Sequence, residues 1–125
     1  MNNYCKKITG KLGEDIAVNE LLKSGYTILE RNFTKRCGEI DIICRKNDII
    51  CFVEVKTRHN PIKALPREAV NLKKQKRIKE TAEKYIYEIG NIDSNIYSFN
   101  FRFDVAEIMI IEDDIYFNYI ENAFC

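Results

Sequence analysis

Gly38-Glu39-Ile40-Asp41-Ile42-Ile43-Cys44-Arg45-Lys46-Asn47-Asp48-Ile49-Ile50-Cys51-Phe52-Val53-Glu54-Val55-Lys56-Thr57-Arg58 is the stretch whose reading decides the fold. Two runs rich in β-branched residues flank a short polar turn, which is the pattern of a hairpin. Glu39 and Asp41 alternate with Ile40 and Ile42, and Glu54 and Lys56 alternate with Val53 and Val55. A period of two places each charged pair on one face of its strand.

The turn sets whether those faces coincide. With Asn47-Asp48 as a two-residue loop, Arg45 opposes Ile50, Ile43 opposes Phe52, Asp41 opposes Glu54 and Glu39 opposes Lys56. A four-residue loop keeps this register, whereas a three-residue loop or a bulge breaks it. Opposed side chains have Cβ atoms roughly 4.5–5.5 Å apart, so two carboxylates would meet with a lysine one step along. Two readings fit. One is a solvated sheet face with a Glu39–Lys56 ion pair. The other is a site in which a divalent cation compensates the facing carboxylates. Ile43, Ile50 and Phe52 share the carboxylates' face, and an apolar, covered face favours the site.

Outward from the hairpin, residues 8–24 predict a helix: Leu12, Ile16, Ala17 and Leu21 recur at helical spacing and Gly25 stops it. Gly10 and Gly13 each cost roughly 1 kcal/mol there unless something packs close to the backbone. Residues 26–31 predict a strand and 32–37 a basic loop. Residues 57–65, with Arg58, His59 and Lys63, predict a loop. The lone His59 has no partner for proton transfer in this pattern and is left out of the chemistry. A second helix is expected from Pro66 to Ile89, closed by Gly90, burying Ala69, Val70, Leu72, Ile78, Ala82, Tyr85, Ile86 and Ile89. Its Lys73-Lys74-Gln75-Lys76-Arg77-Ile78-Lys79 run carries five positive charges in seven residues, a solvated face or a phosphate-contacting one. Residues 99–111 and 114–120 predict two final strands.

Composition bounds the partners. The 125 residues are 46% hydrophobic and 31% charged, enough for one core, so the chain reads as a single domain over 1–125. No apolar stretch follows the amino terminus and none reaches membrane-spanning length, so neither a secretory signal nor a membrane partner is expected. Five cysteines without a C-x-x-C pair read as reduced thiols of a cytoplasmic protein. Cys44 faces Cys51 in the hairpin register, but a reducing compartment disfavours a disulfide. Net charge is only +1, yet residues 1–84 carry 19 Lys/Arg against 11 Asp/Glu and residues 85–125 carry 1 against 8. A basic pole of this kind suits a polyanion.

Asp41 followed by Glu54-Val55-Lys56 resembles the Asp…Glu-x-Lys core of the PD-(D/E)xK nucleases. Gly38-Glu39-Ile40-Asp41, Phe52 to Arg58, and Arg102-Phe103-Asp104-Val105 together resemble the YraN family of small bacterial proteins, from Gly10 to Phe124. That family is read as endonucleases and is similar to archaeal Holliday-junction resolvases. The resemblance implies an α/β restriction-endonuclease-like fold, in the order α-β-β-β-α-β-β, with a mixed central sheet flanked by helices. It implies a nuclease dependent on Mg²⁺ or Mn²⁺, acting on nucleic acid, with DNA and branched DNA as the implied substrates. Asp41, Glu54, Glu14 of a Gly-x-x-Gly-Glu turn and the Val55 carbonyl would ligate metal. Lys56 would handle the attacking water or developing charge, oriented by Glu39. Gln75, in a Lys-Gln step with Lys74, would support the centre, and Arg58, Lys73, Lys74, Lys76 and Arg77 would grip phosphates. The chain departs from the family at Lys63-Ala64-Leu65-Pro66, where a glycine usually precedes the proline. Resolvases are dimers, which implies a homodimer that no feature of the sequence itself specifies. A non-catalytic nucleic-acid-binding or assembly module, and a phosphatase for small phosphoesters, remain the alternatives.

Overall fold

The computed structural model describes residues 3–59 and 70–125. Helix α1 (Asn3–Lys23) precedes strands β1 (Thr27–Lys35), β2 (Gly38–Lys46) and β3 (Ile49–Arg58). Helix α2 (Leu72–Gly90), a 3₁₀ turn at Ser94–Ser98, and strands β4 (Asn100–Ile111) and β5 (Asp114–Phe124) complete the chain. The strands form one sheet in the order β1-β2-β3-β4-β5. β3 and β4 run parallel and every other neighbouring pair is antiparallel, so the fold is mixed α/β. A parallel pair needs a crossover connection, and α2 lies in it. No described helix is long and apolar enough to cross a membrane.

The sheet has a core on each face. On one, Ile78, Ala82 and Tyr85 of α2 pack on Ile43, Ile50, Phe52 and Val105. On the other, Ala17 and Leu21 of α1 pack on Ile42, Cys44, Cys51, Val53, Ala106 and Ile108. Central strands covered on both sides read as unbroken apolar runs, which is why Ile49–Val53 shows no alternation. The expected hairpin register holds from Lys46↔Ile49 to Ile42↔Val53 across the two-residue Asn47-Asp48 turn. Asn47 there takes φ 55°, a left-handed conformation that asparagine tolerates. Cys44 and Cys51 face each other as buried free thiols.

Several boundaries differ from expectation. β1 continues through the residues expected to form a basic loop, because Phe33 packs edge-on against Tyr85 and Thr34 and Lys35 pair with Glu39 and Gly38. α2 begins at Leu72, where the Asn71 side chain accepts the Lys74 amide as an N-cap. Leu72, expected in the core, is 82% exposed in that first turn. The expected helix start at Pro66, and Lys63 to Ala69, lie outside the described residues. Of the two α1 glycines only Gly13 has a close neighbour. A Cβ there would overlap Thr57 Oγ1, while one at Gly10 would meet open space.

On the α1 face Asp104 is fully buried and pins β5 to β4. Its carboxylate accepts from Arg102 Nε at 2.9 Å, Tyr119 Oη at 2.5 Å and the Asn122 amide at 2.9 Å, and Arg102 also donates to Tyr26 Oη. Removing one partner of a buried pair strands the other. Asp104→Ala is expected to cost about 3–5 kcal/mol, read as a lower urea midpoint. A loss below about 0.5 kcal/mol, the range of ordinary surface changes, would remove this network from the stability of the fold.

Candidate active site

The β2–β3 ladder stops one residue before Asp41 would meet Glu54. In place of a further ladder bond, Asp41 Oδ2 accepts the Val55 amide at 2.8 Å. The β1–β2 ladder passes from Arg31↔Ile42 to Phe33↔Ile40 without pairing Asn32 to Asp41, and Asn32 sits at φ 53°. Alternation breaks there too, since Ile40 joins the core of Ile43 and not that of Ile42. Asp41 therefore lies at a fork where β2 leaves β3.

Asp41 and Glu54 line one cavity, with Glu39 beside them and Lys73, Lys74 and Arg77 of α2 along its edge. Glu54 is only 5% exposed. Lys74 Nζ lies 2.5 Å from its Oε1 and Lys56 Nζ 3.5 Å from the same oxygen. Burial, then the charge of Glu54, pushes the Asp41 carboxyl up to about 7, with Glu39 and Glu14 adding to the rise and the Val55 amide opposing it. Burial and the neighbouring Lys74 hold Lys56 below its ordinary value. Burial would lower Lys74 as well, but Glu54 and Lys56 raise it above its ordinary value. A buried carboxylate beside a half-buried one, with a lysine held below its ordinary value, is the arrangement of a candidate site more than of a stabilising ion pair.

The structure brings together Asp41, Glu54, Lys56, Lys73, Lys74 and Arg77. It corrects the expected Glu39–Lys56 opposition: the ladder has ended by that point, and the contacts of Lys56 are Glu54 and Lys74. Val55 is present through its amide on Asp41. Gln75 is turned aside, donating to the Val70 carbonyl at 3.0 Å, where the chain enters α2. Lys76 is exposed and does not line the cavity, and Arg58 lies at the end of β3 with its Nε buried and without a hydrogen-bond partner among the described residues. Glu14 is held on α1 by Arg31 and Asn32. Among the described residues no three of His, Cys, Asp and Glu form a ready metal-ligand group. The two-carboxylate pair is the part that fits a divalent cation, since hard oxygen donors with excess negative charge in a covered site suit one.

Sequence reading passed over Arg31 and Asn32. The signal available was an asparagine inside a strand, at the position opposite Asp41, which asparagine's tolerance of left-handed backbone makes a candidate kink. Glu107 of β4 is not among the candidates that the sequence offers. It is fully buried, with Asn118 Nδ2 on Oε1 at 3.1 Å and Oε2 unbonded.

The folded chain holds the Asp41 proton more tightly than an unfolded chain does, so this group's contribution makes stability fall as pH rises from about 4 to 7. In chelator, Asp41→Asn is expected to melt above the unmutated protein at pH 7.5, with the gap closing towards pH 4 and a ceiling of roughly 4 kcal/mol. A gap of constant size across that range would mean that Asp41 does not carry the strain.

The family model described as "Uncharacterised protein family UPF0102" matches residues 13–108. A UPF0102 protein of Clostridium tetani is 45% identical over 126 residues, covering 99% of this chain and 98% of that relative. One from Alkaliphilus oremlandii is 47% identical over 121 residues, with 95% and 98% covered. One from Clostridium novyi is 46% identical over 126 residues, with 99% and 100% covered. With a family-model match across most of its length and relatives of this similarity end to end, the chain belongs to the UPF0102 family.

Proposed function

We propose that this protein is a divalent-cation-dependent nuclease of the restriction-endonuclease-like type, hydrolysing phosphodiester bonds in nucleic acid, with DNA, branched DNA included, as the substrate. The observation that carries the reading is the Asp41–Glu54 pair at the strand fork, in one cavity with Lys73, Lys74 and Arg77 and with Lys56 against Glu54. Asp41 and Glu54 would hold Mg²⁺ or Mn²⁺, joined by Glu14 and the Val55 carbonyl. Such an ion supplies charge stabilisation on the phosphoryl oxygens and a more acidic water. Lys56, biased towards its neutral form, would accept or steady a proton beside the reacting phosphate. Lys73 and Arg77 would hold the flanking phosphates, and Lys74 would leave Glu54 for a phosphate oxygen once a cation took its place.

One observation favours a binding module without turnover: Lys74 and Lys56 already neutralise Glu54. Supercoiled, linear and branched DNA incubated with Mn²⁺ separates the two. Cleavage that Asp41→Asn and Glu54→Gln abolish, and that Lys56→Ala reduces by about 10²-fold or more, supports the nuclease. Binding without cleavage by the unmutated protein would leave the module.

The basic edge has its own test. Removing a side chain that neutralises one phosphate should shallow the slope of log affinity against log salt by about 0.9 on B-DNA. Lys73→Ala/Arg77→Ala should therefore reduce the slope by about 1.8, whatever the DNA sequence. An unchanged slope would make these side chains a solvated helix face.

A further inference from the structure

The geometry points to Asn32 and Arg31 as positioning residues for Glu14, anchoring one of its carboxylate oxygens so that the other is presented to a cation at Asp41 and Glu54. The inference rests on the cation site proposed above and names two residues that site would need.

Two hydrogen bonds, from Asn32 and Arg31, converge on a single oxygen of Glu14, with a second Arg31 nitrogen at ion-pair distance from it. Asn32 Nδ2 reaches Oε1 at 2.9 Å, Arg31 Nε at 3.2 Å and Arg31 Nη2 at 3.1 Å. Among the described residues no hydrogen bond reaches Oε2. Pinning one oxygen fixes the rotation of a carboxylate and leaves the lone pairs of the other for a ligand, as partners behind metal-binding carboxylates do. Arg31 is itself held, since Nη2 also meets Asp15 Oδ1 at 2.7 Å, one residue along α1.

The backbone adds an independent observation. Asn32 lies within β1 at φ 53°, a left-handed conformation that asparagine tolerates and that interrupts a regular strand. Here it falls where the ladder skips the Asn32–Asp41 pair, so the kink that carries the amide to Glu14 borders the first carboxylate of the site. The charge of Glu14 is felt at Asp41, where it adds to the repulsion.

The test uses the full chain and Mn²⁺ alone, without DNA, following free Mn²⁺ by electron paramagnetic resonance. Asn32→Gly removes the amide while keeping a residue at ease with positive φ. Its Mn²⁺ affinity should fall about 10- to 100-fold, as should that of Arg31→Ala. Combined with Glu14→Gln, Asn32→Gly should cost little more than Glu14→Gln alone, because both act through one carboxylate. A merely structural role would lower the melting temperature in chelator and leave losses of Mn²⁺ affinity additive. Unchanged affinity in Asn32→Gly and Arg31→Ala, tighter affinity in Arg31→Ala, or additive losses would overturn the inference. If Asp41→Asn abolishes Mn²⁺ binding while these variants keep it, only the positioning role fails. If the unmutated chain binds no Mn²⁺, or Asp41→Asn binds it equally, the cation site fails and this role with it.

Discussion

A buried carboxylate and a half-buried one in the same cavity impose the constraint to which this structure answers. Unit charges about 4 Å apart repel by roughly 4 kcal/mol at the effective dielectric of a protein surface. The chain meets this in three ways at once. Asp41 holds its proton to about pH 7, the Val55 amide bonds its oxygen, and two lysines crowd the partner carboxylate. Regular structure departs from ideal around the pair. The hairpin ladder ends early, Asn32 takes left-handed backbone, and α2 starts at an asparagine cap three residues before Lys74.

Asp104 shows what the same residue type looks like when its surroundings stabilise it. It is fully buried, where Asp41 is half-buried, and its carboxylate meets three donors: a guanidinium, a phenol and a backbone amide. That carboxylate closes the seam between β4 and β5. The contrast separates a buried charge with matched partners from a like-charged pair in a cavity.

Much of this was legible in the sequence because it is local. A two-residue turn and a period of two determine the hairpin register, and helical spacing with stop signals gives the element order. The fork at Asp41 was not legible. Extrapolating the register through Glu39 and Lys56 assumes that a strand pair continues, whereas a side chain that captures a neighbouring amide ends it. Leu72 was misjudged for a related reason. Where a helix begins sets which way its first turn faces, and here a cap at Asn71, not the proline upstream, sets it. β1 outran its polar sequence because one buried aromatic contact at Phe33 keeps an edge strand in place. Of the candidate site, Asp41, Glu54 and Lys56 could be found from pattern, while the Lys74 contact with Glu54 and the donors behind Glu14 depend on elements distant in sequence.

Gly13 fixes more than a helix–sheet contact. Because even one carbon there would strike Thr57, the separation between α1 and β3 is at its lower limit at that point. Glu14 is the next residue, so the glycine serves as a spacer gauge for how far a carboxylate on one layer reaches towards groups on another. Where reacting groups are concerned, a misplacement of about 1 Å can cost about 10²-fold in rate. A position with no side chain of its own thus sets a tolerance on the whole candidate site, and an alanine there would alter spacing before it altered chemistry.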